Sequence, residues 1–184
     1  LMNVLTLVVE TTHKDRQGGG TTALPYFNNR LVSVGWKWLL NQDVNYEFFY
    51  HKDKDTWYNS ETVNKIQNDL DKTDVLVGQN IKFDIMWLRA CGFKYDGVIY
   101  DTMVAEYIRS NGRHWSLALD ALATRYNVTP TETDLDTPYL KAGKTFFAIP
   151  SETVEEYRNE DVTIQDNSPD KKHTELQSTI ETRK

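Results

Sequence analysis

Three short segments of this 184-residue chain carry side chains whose types and spacing could do chemistry. The first, Val8-Val9-Glu10-Thr11-Thr12, closes an apolar run from Val4 to Val9 (VLTLVV) that reads as a buried strand. A carboxylate directly after such a strand stands at the sheet edge, where ligands bind in α/β proteins. In the second, Val77-Gly78-Gln79-Asn80-Ile81-Lys82-Phe83-Asp84, Asn80 occupies a strand-to-helix turn and Asp84 the first turn of the helix. In the third, Glu155-Glu156-Tyr157-Arg158-Asn159-Glu160-Asp161, Tyr157 and Asp161 are four residues apart and project from one helical face. A cluster of carboxylates can hold divalent metal, and the metal then supplies the positive charge that a phosphate needs. Each segment alone has an ordinary explanation. Glu10 could be a solvated strand-end residue, and Tyr157 a core residue with Asp161 on the surface. Asp84 could simply complement the helix dipole, which is worth roughly 0.3–1 kcal/mol.

The elements that must position these residues follow from hydropathy period. After the first strand, residues His13 to Arg30 contain Gly18-Gly19-Gly20, Pro25 and two Asn, the composition of an exposed loop. Leu31 to Leu40 and Val44 to Tyr50 are rich in β-branched and aromatic residues, and their short polar link predicts an antiparallel hairpin. Ser60 then reads as the N-cap of a helix on which Val63, Ile66 and Leu70 recur. Val75 to Val77 is a fourth strand, and Lys82 to Cys91 a helix closed by Gly92. Val98 to Tyr100 is a fifth strand. Helices follow around Thr102 to Arg109 and Leu117 to Tyr126, then an irregular stretch from Thr129 to Pro150. A last helix is capped by Ser151 and runs to about Gln165. This order predicts an α/β domain with a mixed five-stranded sheet, three antiparallel strands followed by parallel ones, flanked by helices. Residues 1–165 form that domain in this reading, and 166–184 a polar tail, because Pro169 is costly inside a helix.

Composition narrows the function classes. Hydrophobic residues at 39% and charged residues at 26% belong to a folded globular chain. A net charge of −6 argues against a broad basic face gripping nucleic acid, but not against an enzyme that handles one strand end. The single cysteine, Cys91, excludes an internal disulfide and suits a reducing cytosol. No apolar run approaches the ~18 residues of a membrane span, so the expectation is a soluble cytoplasmic protein with no membrane partner. A chain that opens on Leu1 with strand residues close behind reads as a piece of a longer one, with Met2 as the other natural start.

Taken together, the three segments resemble the exonuclease motifs of the proofreading domains attached to family A DNA polymerases, especially those of bacteriophages. These are ribonuclease-H-like enzymes with four metal-binding carboxylates and a tyrosine. Their Asp-x-Glu-Thr motif reads here Val8-Val9-Glu10-Thr11. Their Asn-x-Lys-Phe-Asp is matched by Asn80, Lys82, Phe83 and Asp84, and their Tyr-x-x-x-Asp by Tyr157 and Asp161. Asp101-Thr102 before a helix and Ile149-Pro150 before the last one also look like the family, and the likeness spans roughly residues 4 to 164. The resemblance implies 3′→5′ removal of nucleotides from single-stranded or frayed DNA ends. The chemistry is in-line hydrolysis with two Mg²⁺ or Mn²⁺ ions about 3.5–4 Å apart. Such hard ions select oxygen ligands. By resemblance, Glu10 and Asp161 hold the metal that activates water, and Asp84 acts at the second metal. Tyr157 orients the attacking water, and Thr11 and Asn80 contact the terminal nucleotide. A polymerase would lie elsewhere in a longer parent chain.

The departure is Val8, which stands where the family has the carboxylate that bridges both metals. An apolar residue there should not harm the fold, but it leaves three carboxylates where four are needed and impairs the activity that the resemblance implies. Three other readings remain open on sequence grounds: an inactive domain that binds single-stranded DNA or docks a polymerase, an RNA-trimming relative of the same superfamily, and a plain nucleotide-binding α/β domain.

Overall fold

The computed structural model describes residues 2–15, 21–25, 28–39, 41–54, 59–113, 115–127 and 146–167. Five strands form one sheet: β1 (Val4–Thr11), β4 (Leu31–Trp38), β5 (Asn45–Phe48), β6 (Val75–Gly78) and β7 (Val98–Asp101), in the order β5-β4-β1-β6-β7. β1, β4 and β5 pair antiparallel, while β6 and β7 run parallel to β1. The sheet is therefore mixed, as the element order predicts, and carries the ribonuclease-H-like architecture. Two two-residue strands, β2 (Lys14–Asp15) and β3 (Thr21–Thr22), pair within the segment read as a loop. The triple glycine between them, most of the irregular stretch (residues 128–145) and the tail from 168 lie outside the described residues.

Alternation along β1 sends its side chains to two different layers. Leu5, Leu7 and Val9 enter the main core with Val34, Trp36, Leu76 and the inner faces of α1 (Ser60–Asp71) and α2 (Lys82–Ala90). On α1 the buried residues are Ile66 and Leu70, at helical spacing. The cap is Asn59 and not Ser60, because the Asn59 side chain accepts the Glu61 N–H at 3.0 Å and Ser60 is already helical. Gly92 follows α2 at φ +90, a conformation that costs an L side chain strain, and Phe93 N–H returns to the Leu88 carbonyl at 2.9 Å.

The opposite face of β1 lies under α5 (Ser151–Asn167), which packs on β1 and β4. Ser151 does not cap this helix as expected. The Pro150 carbonyl accepts the first helical bond, from Val154, and the Ser151 N–H is met by Asp53 Oδ2 at 3.2 Å, a cap supplied from distant sequence. Nearby, buried His51 Nε2 meets the Ile149 carbonyl at 2.7 Å, so the β5 end and the start of α5 are held together. α3 (Thr102–Arg109) follows β7 directly. α4 is Leu119–Arg125, shorter than the sequence reading, and α5 continues two residues past Gln165. Among the described residues no helix is long and apolar enough to cross a membrane.

Gly35 sets how closely α5 approaches the sheet. It pairs with Val8, and a Cβ added to it would sit 3.2 Å from the Tyr46 ring and 3.5 Å from Val162 Cγ2. Gly35→Val should therefore push Tyr46 and α5 outward. The expected cost is about 1–3 kcal/mol of stability, read by urea unfolding, with Gly35→Ala costing less. A Gly35→Val chain as stable as its parent contradicts this packing.

Candidate functional site

β1 outruns its parallel neighbour. Its pairing with β6 covers Val4 to Thr6, so Val8 to Thr11 continue past the point where β6 turns into α2. On that side the Val9 N–H has no β6 strand to bond, and Asp84 in the first turn of α2 accepts it at 2.9 Å. This bond brings the second segment onto the first. The turn that delivers Asp84 depends on Asn80, whose φ of +53 is a left-handed conformation that asparagine tolerates better than most residues. Asp101 braces the turn, accepting the Asn80 N–H at 3.0 Å and the Met103 N–H at 2.9 Å at the start of α3. Asn80 thus has a backbone reason to be asparagine, and its side chain is exposed.

Glu10 lies inside β1 and is 6% exposed, which overturns the ordinary explanation of a solvated strand-end residue. It pairs with Ser33 on β4, whose Oγ accepts the Tyr46 hydroxyl at 2.6 Å, and the register shifts between Glu10 and Thr11. Thr11 is also buried. Val8 is 5% exposed and opposite Gly35, on the face that Val162 of α5 covers. Asp161, next to Val162, is 6% exposed, and so is not the surface residue of the ordinary reading. Tyr157, one turn earlier, is half-buried against Phe48, Ile149, Val154 and Phe146. The structure therefore ties Asp84 to the strand that carries Val8 and Glu10, and lays the helix that carries Asp161 and Tyr157 across one face of that strand.

Burial dominates the electrostatics. Asp84 is pushed from 3.8 up to about 8, first by desolvation, with nearby Asp101 adding to the rise; the Val9 N–H and its own N–H oppose it. Tyr46 is raised as well, chiefly by burial, against its bond to Ser33.

A pair of divalent ions, which the resemblance implies, finds no complete ligand set here. Among the described residues no three His, Cys, Asp or Glu side chains form a group that could hold a metal ion. Val8 presents methyl groups on the strand, and the Asp84 oxygen is committed to a backbone N–H in an environment that favours its protonated form. These donors do not fit a two-metal pair.

Because the folded-state value of Asp84 lies above its ordinary one, the group binds a proton more tightly in the fold. Its contribution to stability is complete below about pH 4 and is lost as pH rises to about 8. Asp84→Asn keeps an acceptor for Val9 without the ionisation. In chelating buffer its thermal midpoint should rise relative to the parent across that interval, and converge with it in acid. Parallel pH curves contradict the burial of this carboxylate.

One sequence signal could have flagged Glu10's burial: Thr11 and Thr12 prolong the β-branched run beyond Val9. No comparable signal links Arg30, Tyr50 and Phe147, which the fold brings together beyond the end of β1. A family model described as 3′-5′ exonuclease, that of the DNA polymerase A exonuclease domain, matches residues 39–165. Asn80, Asp84, Tyr157 and Asp161 fall inside it, while Val8, Glu10 and Thr11 precede it. No curated protein matches. With well over half its length matched, on the mixed sheet such a domain requires, the chain belongs to the 3′–5′ exonuclease family of the DNA polymerase A type.

Proposed function

We propose that this chain is a proofreading-type domain that receives DNA 3′ ends at the free end of β1, and that Val8 impairs its turnover. The observation that carries the reading is the Val9–Asp84 hydrogen bond, which joins the motif outside the family match to the motif inside it. Glu10, Asp84 and Asp161 are the carboxylates of the proposed centre. Tyr157 orients the attacking water, a role of positioning more than of proton removal. Thr11 and Asn80 contact the terminal nucleotide. Family membership alone implies a nucleic-acid substrate, and such exonucleases typically use divalent metals. Mg²⁺ or Mn²⁺ is the cofactor we assign to the complete set of four carboxylates, a set that Val8 leaves short and that the donors present among the described residues do not make up. A polymerase segment in a longer parent chain is the partner that fits this class.

The apolar side chain at Val8 favours a second reading in which the domain holds strand ends without cutting them. Both readings put Val8 in the centre, so restoring a carboxylate there tests them together. Val8→Asp should release nucleotides from a labelled single-stranded DNA in Mg²⁺ or Mn²⁺ about a hundredfold faster than the parent, or more. A hundredfold gain corresponds to about 2.7 kcal/mol of transition-state stabilisation. A parent that binds the DNA and releases nothing supports the second reading. Equal release by the two proteins means that Val8 is not in the reaction centre.

A further inference from the structure

Past Thr11 the chain opens into a cleft of about 880 Å³, lined by Thr12, Asn28, Asn29, Arg30, Tyr50 and Phe147 among others. Its volume falls within the about 300–1,000 Å³ of ligand pockets. Tyr50 and Phe147 stack with ring centroids 4.4 Å apart and planes 19° from parallel, and the Arg30 guanidinium lies 5.0 Å from the Tyr50 ring centroid. The rim is fixed by backbone. Thr12 N–H donates to the Arg30 carbonyl at 2.9 Å, and Arg30 N–H donates to Thr12 Oγ1 at 2.8 Å. Asn29, buried, donates to the Leu24 carbonyl at 2.9 Å.

The cleft adjoins the proposed reaction centre from two directions. Thr12 is two residues beyond Glu10, and Phe146, beside Phe147, has its ring 6.4 Å from that of Tyr157. A flat aromatic pair takes any base by stacking, without reading sequence. An arginine beside it can pair with a phosphate through several N–H donors. In a chain of net charge −6, a cation at this place also gives a phosphate a local attraction against the overall field.

We propose that this cleft is a subsite for an internal nucleotide of the strand, its base on the Tyr50–Phe147 pair and its phosphate at Arg30, just upstream of the terminal nucleotide. The inference rests on the functional reading above, that β1's free end receives a DNA 3′ end. The test is fluorescence anisotropy of a labelled oligothymidylate in chelating buffer, so that no cleavage is required. Arg30→Gln, an exposed change that leaves the backbone bonds to Thr12 in place, and Tyr50→Leu should each weaken binding about tenfold. Competition by thymidine monophosphate should be unchanged for both variants. If both variants lose the oligomer and the mononucleotide alike, the cleft is a pocket for the terminal or released nucleotide and the internal subsite is overturned. If the parent and both variants bind the oligomer equally, the subsite falls while the functional reading stands. If the parent binds no single strand, that reading falls and the subsite with it.

Discussion

A buried carboxylate, Asp84, accepts the Val9 N–H and ties the start of α2 to the free end of β1. Because β1 continues past its pairing with β6, its distal backbone on that side needs a partner that β6 cannot give. Asp84 supplies it to Val9, and in doing so fixes the start of α2 against the strand. The cost is an acid held in a dry place, which is why its proton is retained far above the ordinary range. Everything proposed about chemistry depends on this junction, which ties the motif of β1 to the motif of α2.

The second constraint is the contact of α5 with the sheet. Gly35 opens the surface of β4 beside Val8, and Val162 fills the opening. A valine in that setting meets apolar neighbours, so the fold gains where the proposed reaction would lose a ligand. Burying an uncompensated carboxylate at the same point is unfavourable unless cations accompany it. The fold and the proposed chemistry therefore ask for different residues at position 8, and this sequence satisfies the fold.

The sheet was readable because its evidence is local. The apolar run of β1, the hairpin of β4 and β5, and the switch to helical period at Ile66 and Leu70 each lie within one window. The α2 stop at Gly92 was equally visible, as only a residue tolerant of positive φ suits it. What escaped were interactions that join distant segments. Asp53, nearly a hundred residues upstream, caps α5 in place of the adjacent Ser151, and Asn59 displaces Ser60 by a single position at α1. At the proposed site, the family resemblance singled out Asp84 and Asp161 but not their burial, which arises where α2 and α5 each meet β1. Asn80 shows the reverse case, where a residue chosen for chemistry also answers a backbone need.

We propose that a carboxylate at position 8 would let Glu10, Asp84 and Asp161, which form no metal-holding group as they stand, take up a metal pair. Calorimetric titration with Mn²⁺ tests it without any substrate. The account expects Val8→Asp to bind Mn²⁺ saturably with two ions per chain, and the parent to bind fewer and more weakly. Identical isotherms for the two proteins would contradict it.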